Sequence, residues 1–324
     1  MKDDASRGTS WRQGLTPQDS GIRVGRLGAS FVYWLLAHSY FLPGLYLQRY
    51  STLFGLSLTM KRHSHLPKPL VYRLLTGTLE STSYFELDFA WRSLPPEIDE
   101  HGYLDVLSPW LLPLLLILKQ KISNATVVND DCSTLSTLRS LLDAVQLGSR
   151  CKVIDRALEH SSLKPESFDA VTSISGPAQV KNDSALVATM WMLVKPGGRL
   201  IVTLPCARTA GVQVDGYDQH AKASAKSDRC SARFYDSHLL QKRIFSVLGE
   251  PHSTVVYGKI AEGKSKRSGG NSGNLGYPSP REPLEMARNW RCFSRIEDLP
   301  GQGVVAMMFI KAPVEKSPSD AESA

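Results

Sequence analysis

The sequence lacks the marks of most catalytic and scaffold classes. Its five cysteines, at 132, 151, 206, 230 and 292, form no Cys-x-x-Cys pair, which argues against zinc ribbons and two-cysteine redox motifs. No charged-then-apolar leader precedes them, so free thiols in a reducing, cytoplasmic compartment are expected. His-x-x-x-His and His-Glu-x-x-His units are missing, and no metal is expected. Also absent are a Gly-x-Gly-x-x-Gly turn after the first strand and a Gly-x-Ser-x-Gly elbow. Those absences argue against nicotinamide or flavin redox chemistry and α/β-hydrolase chemistry.

Long apolar runs are scarce too. A spanning helix needs roughly 20 apolar residues. FVYWLLAHSYFLPGLYLQ (31–48) is broken by His38, Ser39 and Pro43, and VLSPWLLPLLLIL (106–118) is short and runs into Lys119-Gln120-Lys121. No transmembrane span is expected. The first run is aromatic enough for peripheral membrane contact, although packing over the main domain is the plainer reading. Negative charge is in deficit, with 38 Lys and Arg against 31 Asp and Glu. Residues 219–270 hold ten basic and four acidic side chains, so most of the surplus is regional. Nucleic acid or an anionic membrane could use that basic region. GKSKRSGGNSGN (263–274) has Gly/Ser spacing and no interleaved aromatics, which reads more simply as a solvated loop.

What is present is core: 42% of residues are hydrophobic and 8% aromatic over 324 residues, enough for one large core with a smaller lobe. Residues 1–28 and 313–324 read as polar disordered tails. Between 29 and 99, apolar and aromatic residues at three- and four-residue spacings predict a small helical lobe, closed by Pro95-Pro96. Its last part contains YFELDFAWRSL, with Phe85, Phe89 and Trp91 around a charged set. From 100 to 312 the rhythm becomes short β-branched runs alternating with helical segments: YLDVL, ATVVND, CKVID, FDAVTSIS and GRLIVTLP. Such alternation predicts an α/β domain, a mostly parallel sheet with helices on both faces and a ligand crevice at the carboxyl ends of the strands. Insertions are expected at 206–235 and 261–302.

MWMLVKPGGRLIVTLP (190–205) and ESFDAVTSIS (166–175), following a first strand that carries Asp105, resemble the class I S-adenosylmethionine-dependent methyltransferases. YFELDFAWRSL resembles a segment of some bacterial members of unassigned substrate. The resemblance covers about 100–312 and implies a Rossmann-like, seven-stranded sheet with S-adenosyl-L-methionine as cofactor. The Lys-Pro-Gly-Gly turn has its own logic: Pro196 is expected to end the preceding helix, and Gly197-Gly198 allow the reversal.

In the family the first strand ends in an acid followed by a glycine-rich turn. Here Asp105 keeps the acid, but Leu107 stands where the first glycine usually stands, followed by Ser108 and Pro109. Ser108 suits a helix N-cap and Pro109 the first helical position, so a helix N-terminus is still expected at the cofactor's carboxylate. By resemblance, Asp130 accepts from the ribose hydroxyls, with Asn129 or Asp131 as alternatives in register, or the acid simply caps the next helix. Asp155 and Ala157 are assigned in the same way to the adenine, and Ser173 to the cleft near the methyl group. Candidates for a base are Asp215, Tyr217 and His220 in the loop after the fifth strand. Methyl transfer to a small-molecule, lipid or glycan-like acceptor is the expected function. The alternative is a non-catalytic module that keeps the fold and binds a partner or a membrane.

Overall fold

The computed structural model describes residues 41–60, 66–76, 79, 82–212, 233–260 and 282–313, with isolated positions between 28 and 36. Asp215, Tyr217, His220, the 263–274 stretch and most of both tails lie outside the described residues.

Eight strands form one sheet in the order β3-β2-β1-β4-β5-β10-β8-β9. The parallel half comprises β1 (Tyr103–Val106), β2 (Ala125–Asn129), β3 (Cys151–Asp155), β4 (Phe168–Ile174) and β5 (Val194–Ala207). β10 (Gln302–Ile310) runs antiparallel between β5 and β8 (Ser253–Lys259), and β9 (Trp290–Phe293) adds an antiparallel edge. Seven strands match the Rossmann-like expectation; the eighth, β9, falls within residues 261–302. A two-stranded ribbon, β6 (Gly211–Val212) with β7 (Arg233–Phe234), falls within residues 206–235.

Both faces of the sheet are covered, which is why the strands read as continuous apolar runs rather than alternating ones. In β10 all seven interior residues are buried. On one face, Tyr103, Val127, Ile201 and Ala306 join a core with α1 (Leu45–Met60), α2 (Lys68–Thr76), α3 (Ser83–Ser93), α4 (Leu111–Leu118) and α5 (Cys132–Ala144). On the other, Leu104, Val106, Val171 and Leu200 pack with α6 (Asp183–Leu193) and α7 (Ser237–Leu240), which continues through a π turn at Gln241–Phe245. The amino-terminal helices therefore share the sheet's own core.

Local chemistry sets the boundaries. Asp131 caps α5, accepting from the amides of Ser133 at 3.1 Å and Thr134 at 3.3 Å. Asn182 caps α6 by accepting from Ala185 N at 3.2 Å. α6 stops before Pro196 is reached, because Val194 is already extended at ψ 131°. Lys195, as the residue before a proline, is disfavoured in the α region, and its ammonium is drawn to Asp169 at 2.8 Å. Gly197, at φ 80°, takes the reversal. At the start of α6, Asp183 is fully buried and accepts from Arg233 at 2.6 Å, from Arg243 and from the Tyr235 hydroxyl. That shared acceptor ties β7 and α7 to α6.

Candidate active site

The strand order reverses between β1 and β4, and open α/β sheets bind ligands in the crevice at such a point. All four residues of β1 are buried. Asp105 has no exposed surface. Its Oδ2 accepts from Thr172 Oγ1 at 2.7 Å, and Tyr103 OH lies 2.8 Å from the same hydroxyl. A threonine has one hydroxyl proton; since it goes to the carboxylate, the tyrosine is the donor of the second bond. The Asp105 Oδ1 has no hydrogen-bond partner among the described residues. Burial pushes the carboxyl up to about 6, against the hydrogen bond from Thr172 that favours the charged form. A buried oxygen left without a donor costs about 1–3 kcal/mol, which an incoming amine or water would recover.

Above Asp105 the chain makes the glycine-type turn without glycine. Leu107 sits at φ 57°, a conformation that L side chains rarely adopt, with its amide bonded to Val128 O at 3.0 Å. Its side chain is half-buried against the core on the far face, away from the face that holds Asp105. Gly176 makes room: a Cβ there would lie 2.8 Å from Leu107 Cβ and 2.5 Å from Ser173 Oγ. The loss of a glycine on β1 is thus matched by one beyond β4. Ser175 is also left-handed, at φ 55°, so both strand tips beside the switch point carry strained backbone. Leu107→Gly is expected to relieve about 1 kcal/mol of left-handed strain and lose a similar amount of burial. Its melting temperature should stay within a few degrees of wild type; a larger shift in thermal unfolding would show that strain and burial do not offset.

Ser108 does not cap α4. Its hydroxyl accepts from Ile174 N at 2.9 Å, locking β1 to β4, and the helix begins at Leu111 after an uncapped Trp110. Asp131 takes the capping role on α5, leaving Asp130 exposed at the end of β2. Buried Asn129, the neighbouring alternative, accepts from Asp131 N at 2.9 Å and reaches Ser108 O. Asp155 is exposed at the tip of β3, directly across from Asn129, and Ala157 is half-buried just beyond it. Ser173 is turned inward, donating to Val106 O at 2.7 Å; Ser175, two residues on, lines a cavity. The tips of β1, β2 and β3 therefore bring Asp105, Leu107, Ser108, Asp130 and Asp155 to one end of the sheet.

A residue not singled out from the sequence is Glu86 in α3. Its carboxylate is buried and accepts from Ser175 Oγ at 2.6 Å, Thr203 Oγ1 at 2.7 Å and Thr82 Oγ1 at 3.0 Å. The signal was an acid inside an aromatic-dense helical run, YFELDF. Arg199 holds the other end of α3 by donating to Ser93 O and Leu94 O at 2.8 and 3.2 Å. Next to Glu86 opens a cavity of about 770 Å³, whose lining includes Thr82, Ser175, Pro205, Arg208, Lys259 and Trp290. Its size is that of a small-molecule site. Phe85 props up the Trp290 wall, stacked with ring centroids 5.5 Å apart.

The family model described as a methyltransferase domain matches residues 113–202, from inside α4 into β5. Over those residues the chain is similar to a methyltransferase domain. The match starts beyond Leu107, so the unusual turn lies outside the part of the methyltransferase domain that the family model recognises. No curated protein matches the chain. Solved structures similar to it include the [4+2]-cyclase SpnF, at 13% identity and TM-score 0.44, covering 70% of this chain and 80% of that one. Others are a geranyl diphosphate C-methyltransferase from Streptomyces coelicolor A3(2), at 9% and 0.46, covering 70% and 79%, and a possible histamine N-methyltransferase from Thermotoga maritima, at 16% and 0.39, covering 68% and 87%. These are likenesses of fold. No helix among the described residues is long and apolar enough to cross a membrane, and no group of three or more metal-ligating side chains gathers among them.

Proposed function

We propose that the methyltransferase domain binds S-adenosyl-L-methionine at the tips of β1, β2 and β3 and methylates a small-molecule or lipid-like acceptor held in the cavity beside Ser175. One observation carries the reading: a fully buried Asp105 carboxylate with an unpartnered oxygen lies beneath a left-handed turn that this sequence maintains without glycine. Strain and an unsatisfied buried acceptor are both costly, and functional sites are where such costs persist. The donor set suits the cofactor. Asp105 suits an ammonium, exposed Asp130 suits two vicinal hydroxyls, and Asp155 suits an exocyclic amine.

When bound, the cofactor would supply an electrophilic methyl carbon on a positively charged sulfur. The chain's task is positioning and exclusion of water. Ser175 spends its proton on Glu86, so its lone pairs are free to accept from an acceptor O–H or N–H in the cavity. Glu86 supplies the negative charge that draws the acceptor's proton through Ser175, and Thr203 and Thr82 hold that carboxylate still. Calorimetry on the full chain tests the first half. S-adenosylhomocysteine is expected to bind in the micromolar range, and Asp130→Ala to weaken it about tenfold, the loss of about 1.4 kcal/mol of hydrogen bonding. Absence of any binding heat for wild type leaves only the architecture and sinks the enzymatic reading.

A further inference from the structure

The cavity beside Ser175 is two-natured. Trp290, Phe234, Pro205, Val304 and Pro300 give it apolar walls, and two cations, Arg208 and Lys259, stand on its lining. Neither cation has an ion-pair partner among the described residues. By contrast, the lysine and arginine side chains at Lys195, Arg233, Arg243 and Lys311 are each spent on an acid. Register makes the combination deliberate in geometry: Lys259 and Trp290 are direct partners across β8 and β9, so ammonium and indole rise side by side from the same face. Phe234 and Arg208 come from other elements, β7 and the turn after β5. Trp290, Phe234 and Arg208 fall within residues 206–235 and 261–302, and such segments of an α/β domain choose ligands.

We infer that the acceptor is an anion-headed apolar molecule, its phosphate or carboxylate between Arg208 and Lys259 and its body along Trp290, Phe234 and Val304. Charge-assisted hydrogen bonds would hold the head, and the cations need no acid of their own because the ligand brings it. The apolar body accounts for walls that a purely polar anion would not need. This inference rests on the reading of the cavity as the acceptor site, but it concerns binding and is read without the cofactor.

Calorimetry on the full chain with decyl phosphate, decanoate, decanol and inorganic phosphate decides it. Decyl phosphate or decanoate is expected to bind at least tenfold more tightly than either decanol or inorganic phosphate. Arg208→Gln and Lys259→Gln should each weaken the preferred anion several-fold and leave decanol unchanged, while Phe234→Ala should weaken anion and alcohol alike. Melting curves identify any variant that fails to fold; two surface charge variants on different elements keep the test alive. Equal binding of decanol and decyl phosphate, equal binding of inorganic phosphate, or indifference to both charge variants overturns the inference. If S-adenosylhomocysteine binds normally while all four probes fail, the acceptor assignment falls alone; if the anions bind and S-adenosylhomocysteine does not, the cavity stands and the methyl-transfer reading falls.

Discussion

Asp105→Asn raises the melting temperature at pH 7.5 while abolishing cofactor binding: that pairing is the expected result with the largest combined effect. Burial moves this carboxyl from its ordinary 3.8 up to about 6. Between those two values the folded chain keeps a proton that the unfolded chain has already lost. Stability therefore falls as pH rises from about 4 to about 6 and is level above that. A shift of about two pK units corresponds to roughly 3 kcal/mol of penalty at neutral pH. Asparagine has the same shape, can accept from Thr172 as before, and carries no charge to desolvate. The variant should melt several degrees higher, at about 2–4 °C per kcal/mol for a chain of this size. Its stability should also lose the decline between pH 4 and 6. Scanning calorimetry from pH 4 to 8 reads both. A lower melting temperature at pH 7.5 would show that the carboxylate is stabilising in place, and that its open oxygen is satisfied within the fold.

The second large effect belongs to Glu86→Gln. Three hydroxyls converge on the carboxylate, two of them on Oε1. A glutamine oxygen can keep Ser175 and Thr203, and its amide can donate to Thr82, whose hydroxyl accepts equally well. Folding should be nearly unaffected. The lost charge is another matter, because Ser175 can pass a proton only to a group that takes it. Methyl transfer from radiolabelled cofactor to a small-molecule extract should fall about 100-fold, within the usual range for losing proton-transfer assistance. Cofactor affinity should not change. Glu86→Asp should recover part of the rate; a merely structural role would move melting instead.

The parallel half of the sheet was legible in the chain because each strand is a short β-branched run bounded by turn chemistry, and α5 and α6 carry their own caps. ATVVN and CKVID fall on β2 and β3 as read. Lys195-Pro196-Gly197-Gly198 was legible as a reversal, with the division of labour shifted: the helix stops before the proline, and Gly197 does the turning. Ser108 was a reasonable cap by type, but its hydroxyl is claimed by Ile174 on a strand 66 residues away in sequence. Local rules have no term for such a competitor. β9 was hidden for a similar reason: Trp290 ends a helical period in the sequence but pairs with Lys259 in space.

By itself the sequence determined the architecture, the order of the motifs and the set of acids at the strand tips, since those depend on periodicity, turn residues and caps within a few positions of one another. Only the tertiary structure decided that Leu107 turns left-handed toward the far core, that Gly176 makes space for it, and that Glu86 reaches from an amino-terminal helix to Ser175 across 89 positions of chain. Those outcomes depend on which surfaces compete for one small volume, and packing in three dimensions settles that competition.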